Sequence, residues 1–246
     1  MRLGIIADVH GNVAALKAVL TDIRQRSLDQ IVNLGDLVSG PFDPSKASKM
    51  QQDLNALTIA GNHERQVLND PTSATDRFAL GCLDDADLGW LASLPPSIWV
   101  NDDIFACHGS PAGGDTDYLL EDVSGGWPQL APVQAIRTRL ARAGRKASIV
   151  LCAHTHVARV VRIDDTLVVN PGSVGWPAYR DVSPVPHAIE NGSPHARYAV
   201  LTTAASGATV ELHAVDYAWT EAADQAQRNG RPDVAFQIRT GRVADE

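Results

Sequence analysis

The sequence predicts an α/β fold in which two mixed β-sheets pack together with helices outside, and three observations predict it. Residues 1–65 alternate short apolar runs with a helix-like segment, in strand–helix–strand order. The rest of the chain is richer in hairpins, marked by apolar runs broken at Asn-Asp, Asp-Asp and Ser-Gly pairs. Finally, 246 residues with 44% hydrophobic content can bury a sizeable core.

Taken in order, residues 3–7 form a continuous apolar run, as expected of a strand buried on both faces. Asn12 then offers an N-cap, followed by Val13, Leu16, Leu20 and Ile23 at helical spacing. A second run over 30–34 ends at Gly35-Asp36, and a third over 57–60 ends at Gly61-Asn62-His63-Glu64. A short helix starting at Asn62 or His63 should run through Leu68. Further helices are expected over 83–94, 133–143 and 220–229. Hairpins are expected over 98–108, 158–169 and 198–215. Two stretches read as long loops: 109–129, and 176–195 with four Pro beside Trp176, Tyr179 and Arg180. Loops of this length either serve a site or are disordered, and both follow segments of interest. With no repeat or low-complexity tract, the reading is one domain over 1–246: a core to about 216, then a C-terminal helix and tail over 217–246.

The charge balance excludes some functions. Lys and Arg total 21 against 29 Asp and Glu, a net charge of −8. No basic stripe is present; the densest basic stretch, 137–146, reads as a solvated helix face. Such a chain has no electrostatic grip on long nucleic acid. No apolar run approaches the ~18 residues of a membrane span. The N-terminal run is too short for a secretory signal, so a cytoplasmic protein is expected. Cys82, Cys107 and Cys152 are odd in number and widely spaced, which fits small buried hydrophobes better than disulfides or a zinc knuckle. The oligomeric state is not legible.

In open α/β sheets, ligands gather beyond the carboxyl ends of the strands. There this chain carries Asp8-Val9-His10, then Asp36, then Asn62-His63-Glu64, then His108, then His154-Thr155-His156. Each alone is weak: D-x-H triplets are common, Gly-Asp usually makes a turn, and a single strand-end histidine is usually structural. Asp8 and His10 would share a face if the strand continued through them. Asn62 has a carbonyl oxygen for a cation, while His63 beside it remains available for acid chemistry. Glu64 would orient the His63 imidazole. Joint occurrence at five successive strand ends is what carries weight.

In that order, D-x-H, G-D, G-N-H-E, H-G and A-H-T-H resemble the calcineurin-like metallophosphoesterase superfamily. Asp8–Asn12, His108-Gly109-Ser110-Pro111 and Asn170-Pro171-Gly172-Ser173-Val174-Gly175 resemble its small bacterial phosphodiesterase-type members in particular. The resemblance covers residues 1 to about 203 and departs at Ala153, where the family usually has Gly. It implies a four-layer α/β/β/α sandwich and a dinuclear centre. One divalent ion would take Asp8, His10 and His156, the other Asn62, His108 and His154, with Asp36 bridging and His63 as the catalytic acid.

A hydroxide held by the two ions would attack phosphorus while His63 protonates the leaving oxygen. Mixed nitrogen and oxygen donors without Cys suit Mn, Fe, Zn, Co or Ni, with Mn(II) favoured. Asn12 and Arg65 are lesser candidates for phosphate contact, by adjacency. Protein Ser/Thr phosphatases and dinucleoside polyphosphatases of this superfamily carry arginines in G-D-x-V-D-R-G and R-G-N-H-E. Here Gly35–Pro41 reads G-D-L-V-S-G-P, and Ala60 precedes Gly61, so both arginines are missing. A dianionic monoester would lack its bidentate partner. The expected substrate is therefore a phosphodiester or other small organophosphate, with a phosphomonoesterase, protein phosphatase or dinucleoside polyphosphatase as the alternative. A non-catalytic scaffold on this fold is the remote one.

Overall fold

In the computed structural model, which describes residues 1–112 and 116–244, the chain opens with β1 (Arg2–Ile6), α1 (Val13–Ile23) and β2 (Gln30–Asn33). Next come α2 (Pro44–Gln52), β3 (Leu57–Thr58), α3 (Asn62–Asn69), α4 (Ala74–Cys82) and α5 (Asp85–Ser93). The second half holds β4 (Ser97–Trp99), β5 (Ile104–Cys107), β6 (Glu121–Asp122), β7 (Gln129–Leu130), α6 (Val133–Leu140) and β8 (Ile149–Leu151). It continues with β9 (Arg159–Ile163), β10 (Thr166–Asn170), β11 (Ala178–Asp181) and β12 (His187–Glu190). Two long strands, β13 (Ala196–Ala204) and β14 (Gly207–Val215), precede α7 (Trp219–Arg228) and α8 (Pro232–Thr240).

Two five-stranded mixed sheets form the centre, in the orders β14-β13-β1-β2-β3 and β4-β5-β8-β10-β9. Strand alternation explains their stacking. Leu3, Ile5 and Val32 of the first sheet meet Ile104, Ala106, Leu151 and Val169 of the second in one buried cluster. The opposite faces turn outward: Ile6 and Val200 pack on Leu16, Val19 and Leu20 of α1, while Phe105, Val150 and Val168 pack on Ile136 of α6. Helix, sheet, sheet and helix thus form the four layers that the sequence implies. Strands β1, β5, β8 and β10 are buried along almost their whole length because both of their faces are covered, whereas the edge strands β9 and β14 alternate buried or half-buried with exposed residues.

Helices α2, α4 and α8 escape the periodicity reading, although their starts are legible. Asp43 and Ser73 cap α2 and α4 through Lys46 N and Asp76 N, and Pro stands in the first turn of α2 and α8. Segment 176–195, expected as an overhanging or disordered loop, is a hairpin of β11 and β12, paired from Ala178–Glu190 to Asp181–His187. Segment 109–129 contains β6, and residues 113–115 of it lie outside the described residues. Cys107 and Cys152 are buried and Cys82 is exposed. Among the described residues, no helix is long and apolar enough to cross a membrane.

Candidate metal centre

The parallel strands β1, β2, β3 and β5, β8 aim their carboxyl ends at one region between the sheets. Asp8 and His10 meet there, but by a different device from a continuing strand. β1 stops at Ile6, and Asp8 and His10 adopt φ of 54° and 50°. Asp36, His154 and His156 also lie in the left-handed region, at 56°, 70° and 58°. Non-Gly residues rarely enter it, and such strain persists where the surroundings over-determine the backbone. Here they do. Asp8 N donates to Gly35 O (2.9 Å), His10 N to Asp36 O (2.9 Å) and Ala153 N to His108 O (2.7 Å).

The imidazoles are held in one tautomer. Nδ1 of His10 donates to Ser39 O (2.7 Å), that of His108 to Leu34 O (2.7 Å) and that of His156 to Trp176 O (2.6 Å). A carbonyl only accepts, so Nδ1 carries the proton and Nε2 keeps its lone pair in the uncharged ring. These Nε2 atoms converge. His10 and His156 face each other at 3.2 Å, and His156 lies 3.6 Å from Asp8 Oδ1. His108 Nε2 lies 3.2 Å from Asp36 Oδ2 and 3.1 Å from Asn62 Oδ1. His154 packs on His108 with ring centroids 5.1 Å apart. Two groups have ligand atoms close enough to hold an ion, Asp8-His10-His156 and Asp36-His108-His154. Asp36 Oδ2 also comes within 3.9 Å of His10 Nε2, so its carboxylate touches both sets. A third grouping, His10-Asp36-His63, overlaps them.

The electrostatics of this region call for positive charge. Both carboxylate oxygens of Asp8 are buried with no hydrogen-bond partner, an expensive arrangement unless a cation compensates it. Burial pushes the Asp8 carboxyl well above the usual range. Burial lowers His10 to about 4 and His154 to about 3, and lowers His156 strongly as well, leaving neutral rings suited to ligation. His108 goes the other way: burial pulls it down, but Asp36 and Asp8 overcome this and raise it to about 10. The donor set, orphaned carboxylate and fixed tautomers fit divalent cations.

His63 stands beside this cluster and lines the cavity outside it. Its ring is oriented by Asp76, not by Glu64 as the sequence suggests: Nδ1 meets Asp76 Oδ1 at 2.7 Å. Asp76 is itself held by Ser39 Oγ at 2.6 Å and by Ser73 Oγ. Burial depresses His63, but Asp36 and Asp76 outweigh it and raise the imidazole to about 9. Glu64 instead accepts from Asp36 N, Leu37 N and Gly61 N, each at 2.8 Å, and ties the β2 and β3 loops together. Consecutive helical residues point about 100° apart, so Glu64 turns away from the ring before it.

The lesser candidates fare differently. The Asn12 amide caps α1 through Ala15 N and donates to Gly175 O at 2.9 Å, a joint between loops rather than part of the cavity wall. Arg65 is exposed on α3 and is not among the residues lining the cavity. That cavity, about 550 Å³, takes its cations from Arg180 of β11 and Arg231 before α8. Its acids outside the metal-ligand cluster are Asp76, Asp181 and Asp233; Trp176 and Tyr179 also line it, and the Tyr179 ring lies 4.9 Å from that of His156.

A domain model, the calcineurin-like phosphoesterase superfamily domain, matches residues 1–192. The chain belongs to that superfamily. Its phosphoesterase fold is shared with a crystal structure of a metallophosphoesterase from Sphaerobacter thermophilus, at TM-score 0.76 and 24% identity over 97% of this chain and 98% of that one. It is also shared with a hypothetical protein from Pyrococcus horikoshii, at TM-score 0.75 and 19% identity over 99% of both chains. An uncharacterised protein of Methanocaldococcus jannaschii is 41% identical over 66 residues, a match spanning 27% of each chain.

Proposed function

We propose that this phosphoesterase hydrolyses a phosphodiester or other small organophosphate at a dinuclear centre. Asp8, His10 and His156 would hold one divalent ion and Asn62, His108 and His154 the other, with the Asp36 carboxylate within reach of both sets. The observation that carries the reading is the Asp8 carboxylate, buried without a hydrogen-bond partner amid imidazoles whose Nε2 lone pairs face inward. Mn(II) is the favoured ion, with Fe, Zn, Co or Ni compatible with the same mixed donors.

Bound there, the ions supply Lewis acidity to a phosphoryl oxygen and lower the pKa of water toward ~7. The rest is the work of this chain. His63, whose Nδ1 meets the Asp76 carboxylate at 2.7 Å, gives a proton to the departing oxygen. Asp76 holds Nδ1, which leaves Nε2 to make that transfer. A cavity of about 550 Å³ suits a small molecule rather than a nucleic-acid strand. The absence of both motif arginines beside Asp36 and Asn62 favours a singly charged diester over a dianionic monoester.

The test is a panel of a bis-aryl diester, an aryl monoester, a dinucleoside polyphosphate and a phosphopeptide against the protein loaded with each metal in turn. We expect diester turnover with Mn(II), abolished by a strong chelator, and loss of both activity and bound metal in Asp36→Asn. Preferred turnover of the monoester would move the assignment to a phosphomonoesterase. Chelator-insensitive turnover, or none with any metal, would end it.

A further inference from the structure

We propose that Arg231 determines specificity by receiving a second anionic group on the leaving alcohol, which makes the substrate a small phosphate diester with a carboxylate or phosphate on its leaving side. This rests on the phosphoesterase reading above and adds to it the chemistry of the leaving group.

Arg231 lines the same cavity as His10, Asp36, Asn62 and His63. Its guanidinium is oriented by Asp233, whose oxygens accept from Nε (2.9 Å) and Nη2 (2.6 Å). A guanidinium has five N–H donors in a planar fork, so a bidentate hold on one edge directs the remaining edge. Asp233 is about half exposed at the rim, where solvent screens its charge.

The position of α8 sets what Arg231 can reach. Val234, Ala235 and Ile238 pack this helix on Phe42 and Trp176. Gln237 accepts from Trp176 Nε1 at 2.8 Å, and the Trp176 ring lies 5.0 Å from that of His10. The helix is therefore registered against the candidate metal centre through Gln237. Arg231 comes six residues earlier, about 9 Å along the axis at 1.5 Å per residue.

The direction is the leaving side. Asn229 Nδ2 donates to Pro41 O (3.0 Å), which fastens the α7–α8 corner to the loop carrying Ser39. Ser39 in turn holds Asp76, the partner of His63. This chain of contacts links Arg231 to the proton donor, and both line the cavity together with Thr72, Ser73 and Thr75. Arg180, the other Lys or Arg among the described lining residues, donates to Ala244 O at 2.9 Å beyond the opposite end of α8. Arg231, the residue before α8, thus brings to this cavity a cation of the kind that the G-D and G-N-H-E motifs lack.

The test uses the Mn(II)-loaded protein and three methyl nitrophenyl phosphate diesters: one with an unsubstituted nitrophenol, one with a carboxylate on it and one with a phosphonate. We expect kcat/KM to favour an anionic leaving group by about tenfold, mostly through KM, which corresponds to about 1.4 kcal/mol. Arg231→Gln should collapse that ratio toward one, and Arg231→Lys should retain most of it. The carboxylate and phosphonate arms report which anion the site prefers. Calorimetric binding of the free phenols reads the subsite without turnover: the anionic phenol should bind more tightly than the parent, and the difference should vanish in Arg231→Gln. Binding discrimination without diester hydrolysis would sink the diesterase reading and keep the subsite. Hydrolysis without discrimination, or discrimination that survives Arg231→Gln, would sink the subsite and keep the diesterase. Thermal melting of both variants separates misfolding from a lost contact.

Discussion

His63 Nδ1 and Asp76 Oδ1 are 2.7 Å apart, a contact that spans from α3 to α4 and orients the imidazole beside the candidate metal centre. If that contact positions a proton donor, Asp76→Asn should lower kcat by roughly 10- to 100-fold for a diester with a poor alkyl leaving group. The loss should be much smaller for a nitrophenyl leaving group, which departs without protonation, and KM should move little in either case. Steady-state kinetics on the two substrates decide it. Equal losses on both would make Asp76 merely structural.

Gly61 and Gly81 predict opposite outcomes for the same substitution. A Cβ on Gly61 would sit 2.2 Å from Asp36 Oδ1 and 2.7 Å from Asp36 N, while one on Gly81 meets nothing within 4 Å. Gly61→Ala should displace Asp36, costing about 1–3 kcal/mol and reducing the metal content. Gly81→Ala, within α4, should stabilise the fold by about 0.5–1 kcal/mol. Denaturant melts with metal analysis read both effects, and a Gly61→Ala protein with full metal content would contradict the first.

Glu64 accepts three backbone N–H groups and joins the loops after β2 and β3. Gln at this position has one acceptor oxygen and would bring an NH2 against N–H donors. Glu64→Gln should therefore cost about 1–3 kcal/mol and loosen the Asp36 loop. Amide hydrogen exchange at Asp36 and Leu37 should accelerate relative to strands remote from that loop. Unchanged protection there would argue against the tie.

Glu121 predicts a pH dependence. Burial raises its carboxyl to about 7, against the pull of Arg159, whose Nε lies 3.1 Å from Oε1, and Oε2 has no hydrogen-bond partner. The folded protein thus holds this proton more tightly than the unfolded chain. The stabilisation is full below the ordinary carboxyl pKa of 4.5 and is lost as pH rises through about 7. Within that window the slope approaches about 1.4 kcal/mol per pH unit. Glu121→Gln should remove this component, seen as a flatter stability–pH curve for the metal-free variant than for the parent between pH 5 and 8. Parallel curves would mean that Glu121 is ionised throughout.

Much of the site was legible because strand ends deliver side chains predictably. Asp8, His10, Asp36, Asn62, His108, His154 and His156 all converge, as their places after apolar runs suggested. What misled was local geometry. The D-x-H pair read as one face of a strand, yet both residues turn through left-handed φ. The Glu64–His63 pairing failed because neighbours on a helix diverge. The hairpin over 176–195 was hidden by its prolines, and α2 by its scarcity of apolar residues, PSKASKMQQ.

The sequence by itself determined the succession of the main strands, the Asp, Asn and His residues gathered at their ends and the family, since each depends on residue type and short-range spacing. Tertiary structure alone decided which group serves which. Asp76 reaches His63 from thirteen residues away, and Arg231 enters the cavity just before a helix that packs back over Trp176. Such partnerships arise when separate elements dock through buried apolar faces, and no local pattern records which polar side chains that docking brings together.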